Sequence, residues 1–406
     1  MKNLPLEGVR VVDFSQIQAG PQATMWLAVM GAEVIKIESR QRPDLLRLYG
    51  QIRDGKADSG LNRSSVFAAL NLSKKDCTLN LTQPKAIELV KKIVGISDVV
   101  VENFSSGVME RLGLDYASLR QVKPDIIMLS VSGPGRTGPE KNYLAYASII
   151  HAFSGLCSLS GYPGGPPNQM GVMWSDVLAG QTGAFAVLAA LHHRALTGQG
   201  QYIDLSMSEA TLSMMPEAVM DYTMNQRVRG CEGNRDDIMA PHGCYPCRGE
   251  DRWVAIAVED EQQWRAFCHI IGDPAWSREE RFADPISRWQ NQDDLDRLVA
   301  DWTRTQCRSE ITKRLQEAGI AAGPSFTATD LLEDDHLRER GFFCEVDHPE
   351  MGRAPLARPP WNVDGKACGR YEPAPLIGEH NDYVFRTLLG LSQDEIDRLV
   401  EDKVIY

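Results

Sequence analysis

The chain is short of basic charge, of long apolar runs, of paired cysteine motifs and of glycine-rich turns, and each shortage excludes something. Of its 406 residues, 43 are Lys or Arg against 55 Asp or Glu, a net charge of −12. General binding of polyanions needs a basic face, so nucleic acid is not an expected partner and any phosphate must be met locally. No stretch of 18 apolar residues runs without polar interruption, which argues against a membrane span. The nine cysteines are scattered and odd in number, and no charged-then-apolar leader precedes Leu4-Pro5-Leu6-Glu7-Gly8. A cytoplasmic protein without a disulfide framework is expected. Cys244 and Cys247 form a lone CxxC with His242 nearby. Zinc would require a second ligand pair at suitable spacing, so a strand and turn are expected there and no metal site.

What is present is enough apolar surface, 43% of residues, for two cores, and a chain of this length exceeds one ordinary core. Val9 to Phe14 reads as a buried strand, Gly20-Pro21 opens a helix ending near Gly31, and Glu33-Val34-Ile35-Lys36-Ile37-Glu38 reads as the next strand. Apolar runs at Asp98 to Val101 and Asp125 to Ser130 extend the alternation. The fold class is therefore α/β, with a largely parallel sheet covered by helices on both faces. Beyond Gly198-Gln199-Gly200-Gln201, Tyr202 to Met207 reads as a strand with Ile203, Leu205 and Met207 on one face. The strand Arg252 to Val258 and amphipathic helices over Glu261 to Ile271 and Asp293 to Ala318 suggest a smaller α+β domain. The expected division is 1–227 for the first part of a large domain, 228–330 for the small domain, and 331–406 as a return segment with a final helix around Gln393 to Glu401. No internal repeat or low-complexity tract stands out.

The first strand-to-helix loop, Asp13-Phe14-Ser15-Gln16-Ile17-Gln18-Ala19-Gly20-Pro21, sits where a dinucleotide fold would show three glycines. Only Gly20 is there. Glu38 imitates a ribose-binding acid, but without a glycine-rich turn the backbone cannot approach a pyrophosphate closely, which disfavours a nicotinamide enzyme. Asp176, in Met173-Trp174-Ser175-Asp176, precedes the Ala/Leu-rich stretch Val177 to Leu196, closed by Gly198. A carboxylate on a first helical turn is kept ionised by the helix dipole and free N–H groups, and the same groups steady an anion formed on it. The same pattern also suits a plain N-cap. Lys74, Lys75, Asn103, Arg111 and Arg136 lie in loops that a doubly wound sheet gathers at its carboxyl edge, where Lys and Arg can meet phosphates; each alone is more often a solvated surface residue.

Taken together, these segments resemble the class III CoA-transferases, the formyl-CoA transferase and carnitine CoA-transferase family. The likeness is carried by Leu6 to Phe14, Gln18-Ala19-Gly20-Pro21, Gly31-Ala32-Glu33 to Glu38, Val101-Glu102-Asn103-Phe104, Gly198-Gln199-Gly200-Gln201 and Pro375-Leu376-Ile377-Gly378-Glu379-His380-Asn381, in order across most of the chain. The resemblance implies a Rossmann-like large domain, a small domain, and an interlocked-ring dimer, either with itself or with a related subunit. It implies that Asp176 is the nucleophile, attacking an acyl-CoA thioester to give a mixed anhydride and then an aspartyl-CoA thioester. Gln18 matches the family's loop glutamine, a donor to the reacting carbonyl. Gln16, Lys74, Lys75, Asn103 and Arg111 match its CoA contacts. Ser39 stands where some relatives have an arginine, with Arg40 one place later. CoA enters as a substrate moiety, no tightly bound cofactor or metal is implied, and the partners are acyl-CoA and a small carboxylic acid.

Two departures bear on the reaction. The related acyl-CoA racemases carry a His-Asp pair before the catalytic Asp, whereas this chain has Tyr146-Ala147, with His151 one turn further on. The oxalate-specific branch has a glutamate at the place of Ala147 and a run of glycines where this chain reads Arg229 to Arg235, which argues against formyl and oxalyl transfer. Ala240 to Cys247 with Trp253 is similar to the branch acting on aromatic succinates, such as the catalytic subunit of succinyl-CoA:benzylsuccinate CoA-transferase. Met170, Met173, Met214, Met215, Tyr222 and Met224 would then line an aromatic acyl pocket, or simply pack a core. The expected activity is CoA transfer, succinyl-CoA being the expected donor; the alternatives are racemisation of a CoA ester and a non-catalytic CoA-binding subunit.

Overall fold

Six short runs rich in β-branched residues build one parallel sheet. β1 (Arg10–Asp13), β2 (Glu33–Glu38), β3 (Lys75–Thr78), β4 (Val99–Glu102), β5 (Ile127–Ser132) and β6 (Tyr202–Ser206) lie in the order β3-β2-β1-β4-β5-β6. Every neighbouring pair is parallel. The computed structural model describes residues 4–49, 52–53, 56–57 and 60–406. Val11, Val12, Val34, Ile35, Val99, Val100 and Ile127 are wholly buried, as expected when helices cover both faces of a parallel sheet. This is the doubly wound Rossmann-type order. Its direction reverses between β1 and β4, so the loops at their carboxyl ends diverge and leave a crevice.

α1 (Ala19–Val29), α2 (Pro84–Gly95), α3 (Val108–Leu112), α4 (Tyr116–Val122), α5 (Ala147–Phe153) and α6 (Trp174–Thr197) connect or cover these strands. One face packs Ala23, Leu27, Ala28, Ala179, Ala184 and Val187 of α1 and α6. The other takes Leu89, Val90, Ile93 and Val94 of α2 together with Val384, Phe385, Leu399, Val404 and Ile405 from the chain's end. The strand expected to run through Met207 stops at Ser206, because the Ser206 hydroxyl accepts the Glu209 N–H and starts a helix at Met207.

The chain divides into two compact units. The first holds Met1–Cys157, Gln169–Arg227 and His336–Tyr406, the second Ser158–Asn168 and Val228–Asp335. Ser158–Asn168 thus joins the second unit, with Gly233 N–H donating to the Gly161 carbonyl at 2.9 Å. That unit has a three-stranded antiparallel sheet, β7 (His242–Pro246), β8 (Trp253–Ala257) and β9 (Ala321–Pro324), in the order β9-β8-β7. α7 (Glu261–Ile270), α8 (Gln292–Thr303) and α9 (Arg308–Glu317) pack on it through Phe267, Leu295, Val299, Ile311 and Leu315. The single helix expected over Asp293 to Ala318 is two. Arg304 to Gln306 offer no apolar side chain to bury, Cys307 turns extended, and the Gln306 carbonyl accepts the Arg248 N–H instead. The last helix, α10 (Gln393–Glu401), opens on a capping box of Ser392 and Glu395.

Candidate active site

Asp176 is not a cap. The N-cap position of α6 is Met173, which makes no side-chain bond, and Trp174, Ser175 and Asp176 are its first three residues. The carboxylate of Asp176 instead accepts the N–H of Ala19, the first residue of α1. Glycine makes this approach possible. A Cβ on Gly180 would lie 2.9 Å from the Ala19 carbonyl and 2.8 Å from Cβ of Gln22, and one on Gly183 would lie 3.0 Å from Leu129. The starts of two helices therefore meet at one carboxylate, where their unsatisfied N–H groups favour negative charge. Burial acts the other way. Asp176 is 9% exposed, and loss of solvation raises its carboxyl to about 6 against the pull of the Ala19 hydrogen bond. A carboxylate so poorly solvated is basic and nucleophilic near neutral pH.

The first loop lies beside it. Gln18 ends the loop, half-buried, and its side-chain amide makes no hydrogen bond among the described residues. Gln16 is held through its backbone: its N–H donates to Oδ1 of Asn103 at 2.8 Å and its carbonyl accepts from Nδ2 at 2.7 Å. Gly20 must be glycine, since a Cβ there would come within 2.3 Å of Cβ of Ser15. Ile17 has a left-handed backbone, φ 66°, which a β-branched side chain rarely adopts.

The other expected CoA contacts lie in different surroundings. Lys74 is buried, and its three ammonium hydrogens go to Oδ2 of Asp13 at 3.1 Å, the Pro21 carbonyl at 2.9 Å and Oδ1 of Asn71 at 2.9 Å. With these three acceptors Lys74 braces the loop from beneath. Lys75 points to the opposite face of β3, 4.6 Å from the ring centroid of Tyr383, whose hydroxyl donates to Glu33 at the amino end of β2. That is the far end of the sheet from the first loop. Arg136 is tied to Glu102 at 2.7 Å and 2.9 Å. Arg40 donates to the Ile377 carbonyl at 3.3 Å. Arg111 is exposed: its guanidinium lies over Gly107 in the loop after β4, 3.1 Å from where a Cβ would stand, and no ion pair is formed by it among the described residues.

Two features were missed in the sequence. His151 on α5 is 1% exposed, and its Nε2 accepts the Ser175 N–H at 3.3 Å, so it caps the start of α6. Burial lowers its pKa and keeps it neutral. The second is a buried charge network under the first loop, in which Lys36 pairs with Asp44 at 3.0 Å and Arg47 with Glu38 at 2.7 Å. Its one sequence signal is Lys36 and Glu38 in the otherwise apolar run Val34 to Glu38. Of the proposed pocket methionines, Met170, Met173, Met214 and Met224 are exposed and Met215 is buried. Among the described residues no group of three or more His, Cys, Asp or Glu is disposed to hold a metal ion, and no helix is long and apolar enough to cross a membrane.

A doubly wound sheet with a buried carboxylate beside the first strand-to-helix loop is an α/β architecture suited to a small-molecule site. The family model described as CoA-transferase family III matches residues 6–381. The Succinyl-CoA–D-citramalate CoA-transferase of Chloroflexus aurantiacus is 32% identical over 401 residues, 99% of this chain and 98% of that one. The alpha subunit of the Succinyl-CoA–L-malate CoA-transferase of the same organism is 32% identical over 405 residues, 100% of this chain and 93% of its own. Among solved structures, a CAIB/BAIF family protein from Brucella suis superposes with a TM-score of 0.86 at 29% identity, covering 95% of this chain and 100% of that one. The chain belongs to CoA-transferase family III. It is an enzyme that transfers CoA between carboxylic acids, with CoA as a moiety of its substrates.

Proposed function

We propose that Asp176 carries the CoA during transfer and that succinyl-CoA is the donor. One Asp176 oxygen attacks the thioester carbonyl and expels CoA thiolate, leaving an aspartyl-succinyl anhydride. The thiolate then attacks the aspartyl carbonyl, releasing succinate and leaving an aspartyl-CoA thioester. An acceptor carboxylate attacks that thioester, and the freed thiolate takes the acceptor acyl group from the second anhydride, restoring Asp176. Every intermediate is an activated acyl group, so neither ATP nor a metal is called for. Each attack builds an oxyanion, for which the unbonded side-chain amide of Gln18 on the loop is the donor we assign.

The observation that carries this reading is Asp176 itself: buried, on a first helical turn, faced by the N–H groups of Ala19 and of its own backbone, with its carboxyl raised to about 6. The acceptor we propose is a substituted succinate, with an aromatic succinate such as benzylsuccinate as the specific candidate. Exposed Met173 and Trp174 beside Asp176 support an apolar acyl group, and the two C. aurantiacus relatives use succinyl-CoA with D-citramalate or L-malate. We also propose an interlocked dimer, with itself or with a related subunit as the alpha-subunit relative suggests. Phe185 of α6 and Met220, Tyr222 and Met224 of the helix Pro216–Asn225 are exposed apolar side chains, which a second subunit would cover.

The test is CoA exchange from succinyl-CoA to isotopically labelled succinate, then to benzylsuccinate, citramalate, malate and glutarate. Hydroxylamine or borohydride added with succinyl-CoA should modify Asp176, read by peptide mass spectrometry. Modification of a different carboxylate overturns the assignment.

A further inference from the structure

Five of the six backbone polar groups from Ser15 to Ile17 are held by side chains. Ser15 N–H donates to Asp13 at 2.9 Å, and the Ser15 carbonyl accepts from Lys36 at 2.6 Å. Asn103 takes both the N–H and the carbonyl of Gln16, at 2.8 Å and 2.7 Å. Ile17 N–H donates to Oδ1 of Asp44 at 3.0 Å, while Oδ2 of the same carboxylate accepts from Lys36 at 3.0 Å. A surface loop that served only to join β1 to α1 would leave such groups to water. Here they are pinned from beneath, and the pinning holds Ile17 at φ 66°, a conformation its β-branched side chain resists and which persists only when the surroundings over-determine it. The next two residues in the chain are Gln18, with its amide unbonded, and Ala19, with its N–H on Asp176. The strained residue thus sets where two donors stand.

We propose that Asp44 and Asn103 are positioning residues of the transfer reaction: they latch Ile17 and Gln16 so that Gln18 and the Ala19 N–H face the Asp176 carboxyl. The proposal rests on Asp176 being the reacting group. It reassigns Asn103, whose amide is committed to the backbone of Gln16 rather than extended toward CoA. Neither residue touches the reacting atoms; both act through the loop.

The full chain is assayed by exchange of CoA between succinyl-CoA and labelled succinate. Asn103→Ala lowers kcat about 10²-fold and leaves KM for succinyl-CoA within about threefold, since a misplaced oxyanion donor costs roughly what a deleted one does. In a Gln18→Ala background the same change costs less than about threefold, because both substitutions remove one donor. A raised KM with kcat intact, additive with Gln18→Ala, overturns the proposal and returns Asn103 to CoA binding. Asp44→Asn tests the other half. Amide hydrogen exchange at Ile17 and Ala19 quickens at least about tenfold in both variants while the β1 amides stay protected. Unchanged exchange at Ile17 overturns the latch whatever the activity. A wild-type chain that exchanges no CoA sinks the reading of Asp176 instead, and the exchange rates still decide whether the latch exists.

Discussion

Asp13 and Asp176 lie on either side of the first loop, both buried, and their surroundings drive them in opposite directions. Asp13, below the loop, accepts from Ser15 twice, from Thr24 at 2.6 Å and from Lys74 at 3.1 Å. These partners outweigh the cost of burial and hold its carboxyl below the usual range. Asp176, above the loop, has the Ala19 N–H, and burial prevails. A carboxylate whose lone pairs are all taken is scaffold; one with fewer partners, at 9% exposure against 0% for Asp13, is the more basic.

The sharpest way to break that contrast is to exchange the consequences. Asp176→Ala should abolish CoA transfer, a loss of at least about 10³-fold as for other covalent nucleophiles, with the far-ultraviolet circular dichroism and unfolding transition retained. Asp13→Ala should do the reverse, destabilising the large unit by about 3–5 kcal/mol because Lys74 is left as an uncompensated buried charge; denaturant titration measures it. If Asp13→Ala unfolds no more easily than the parent, the scaffold half of the contrast is wrong.

The titration of the two groups sharpens it further. Asp176 has a folded-state value near 6 against 3.8 when unfolded. The folded protein therefore binds more protons between those values, and stability falls as pH rises through that window. Asp176→Asn should be more stable than wild type by up to about 3 kcal/mol above pH 6, and no more stable below pH 4. The kcat/KM for succinyl-CoA should rise with pH, half-maximal near 6, to a plateau about one unit higher as Asp176 ionises. Asp13, with its lowered value, contributes stability that is present at neutral pH and is lost only in acid. The smallest effect is expected at Arg111, an exposed cation beside the crevice. Arg111→Ala should raise KM for succinyl-CoA about tenfold, leave kcat unchanged, and reduce the salt dependence of KM.

Much of the frame was legible because periodicity and punctuation are local. The second strand, Glu33–Glu38, and the last helix, Gln393–Glu401, coincide with their expected bounds, and Gly198 in the left-handed conformation closes α6. The position of Asp176 at a helix start was equally visible. What surrounds it there was not, since Ala19 and Gly180 reach it only through tertiary packing. The lysines show the limit most clearly. Lys74 and Lys75 are neighbours in a polar segment, yet strand alternation sends one beneath the loop and the other to Tyr383. The three acceptors of Lys74 come from Asp13, Pro21 and Asn71, which no short window contains together. Similarly, Asp44 and Asn103 meet Ile17 and Gln16 from opposite neighbours of β1, a meeting fixed by strand order and not by sequence distance.

Gly180 sits a little over one turn along α6 from Asp176. Yet the missing methyl there decides how near α1 can come, and hence whether the Ala19 N–H reaches Asp176 at all. A single carbon added at that spot would work as a wedge, pushing the acid's ionisation upward from a distance and displacing the rising limb of the pH profile toward alkaline values. Acidity at the heart of the enzyme is thus adjustable by a site that has no side chain to conserve.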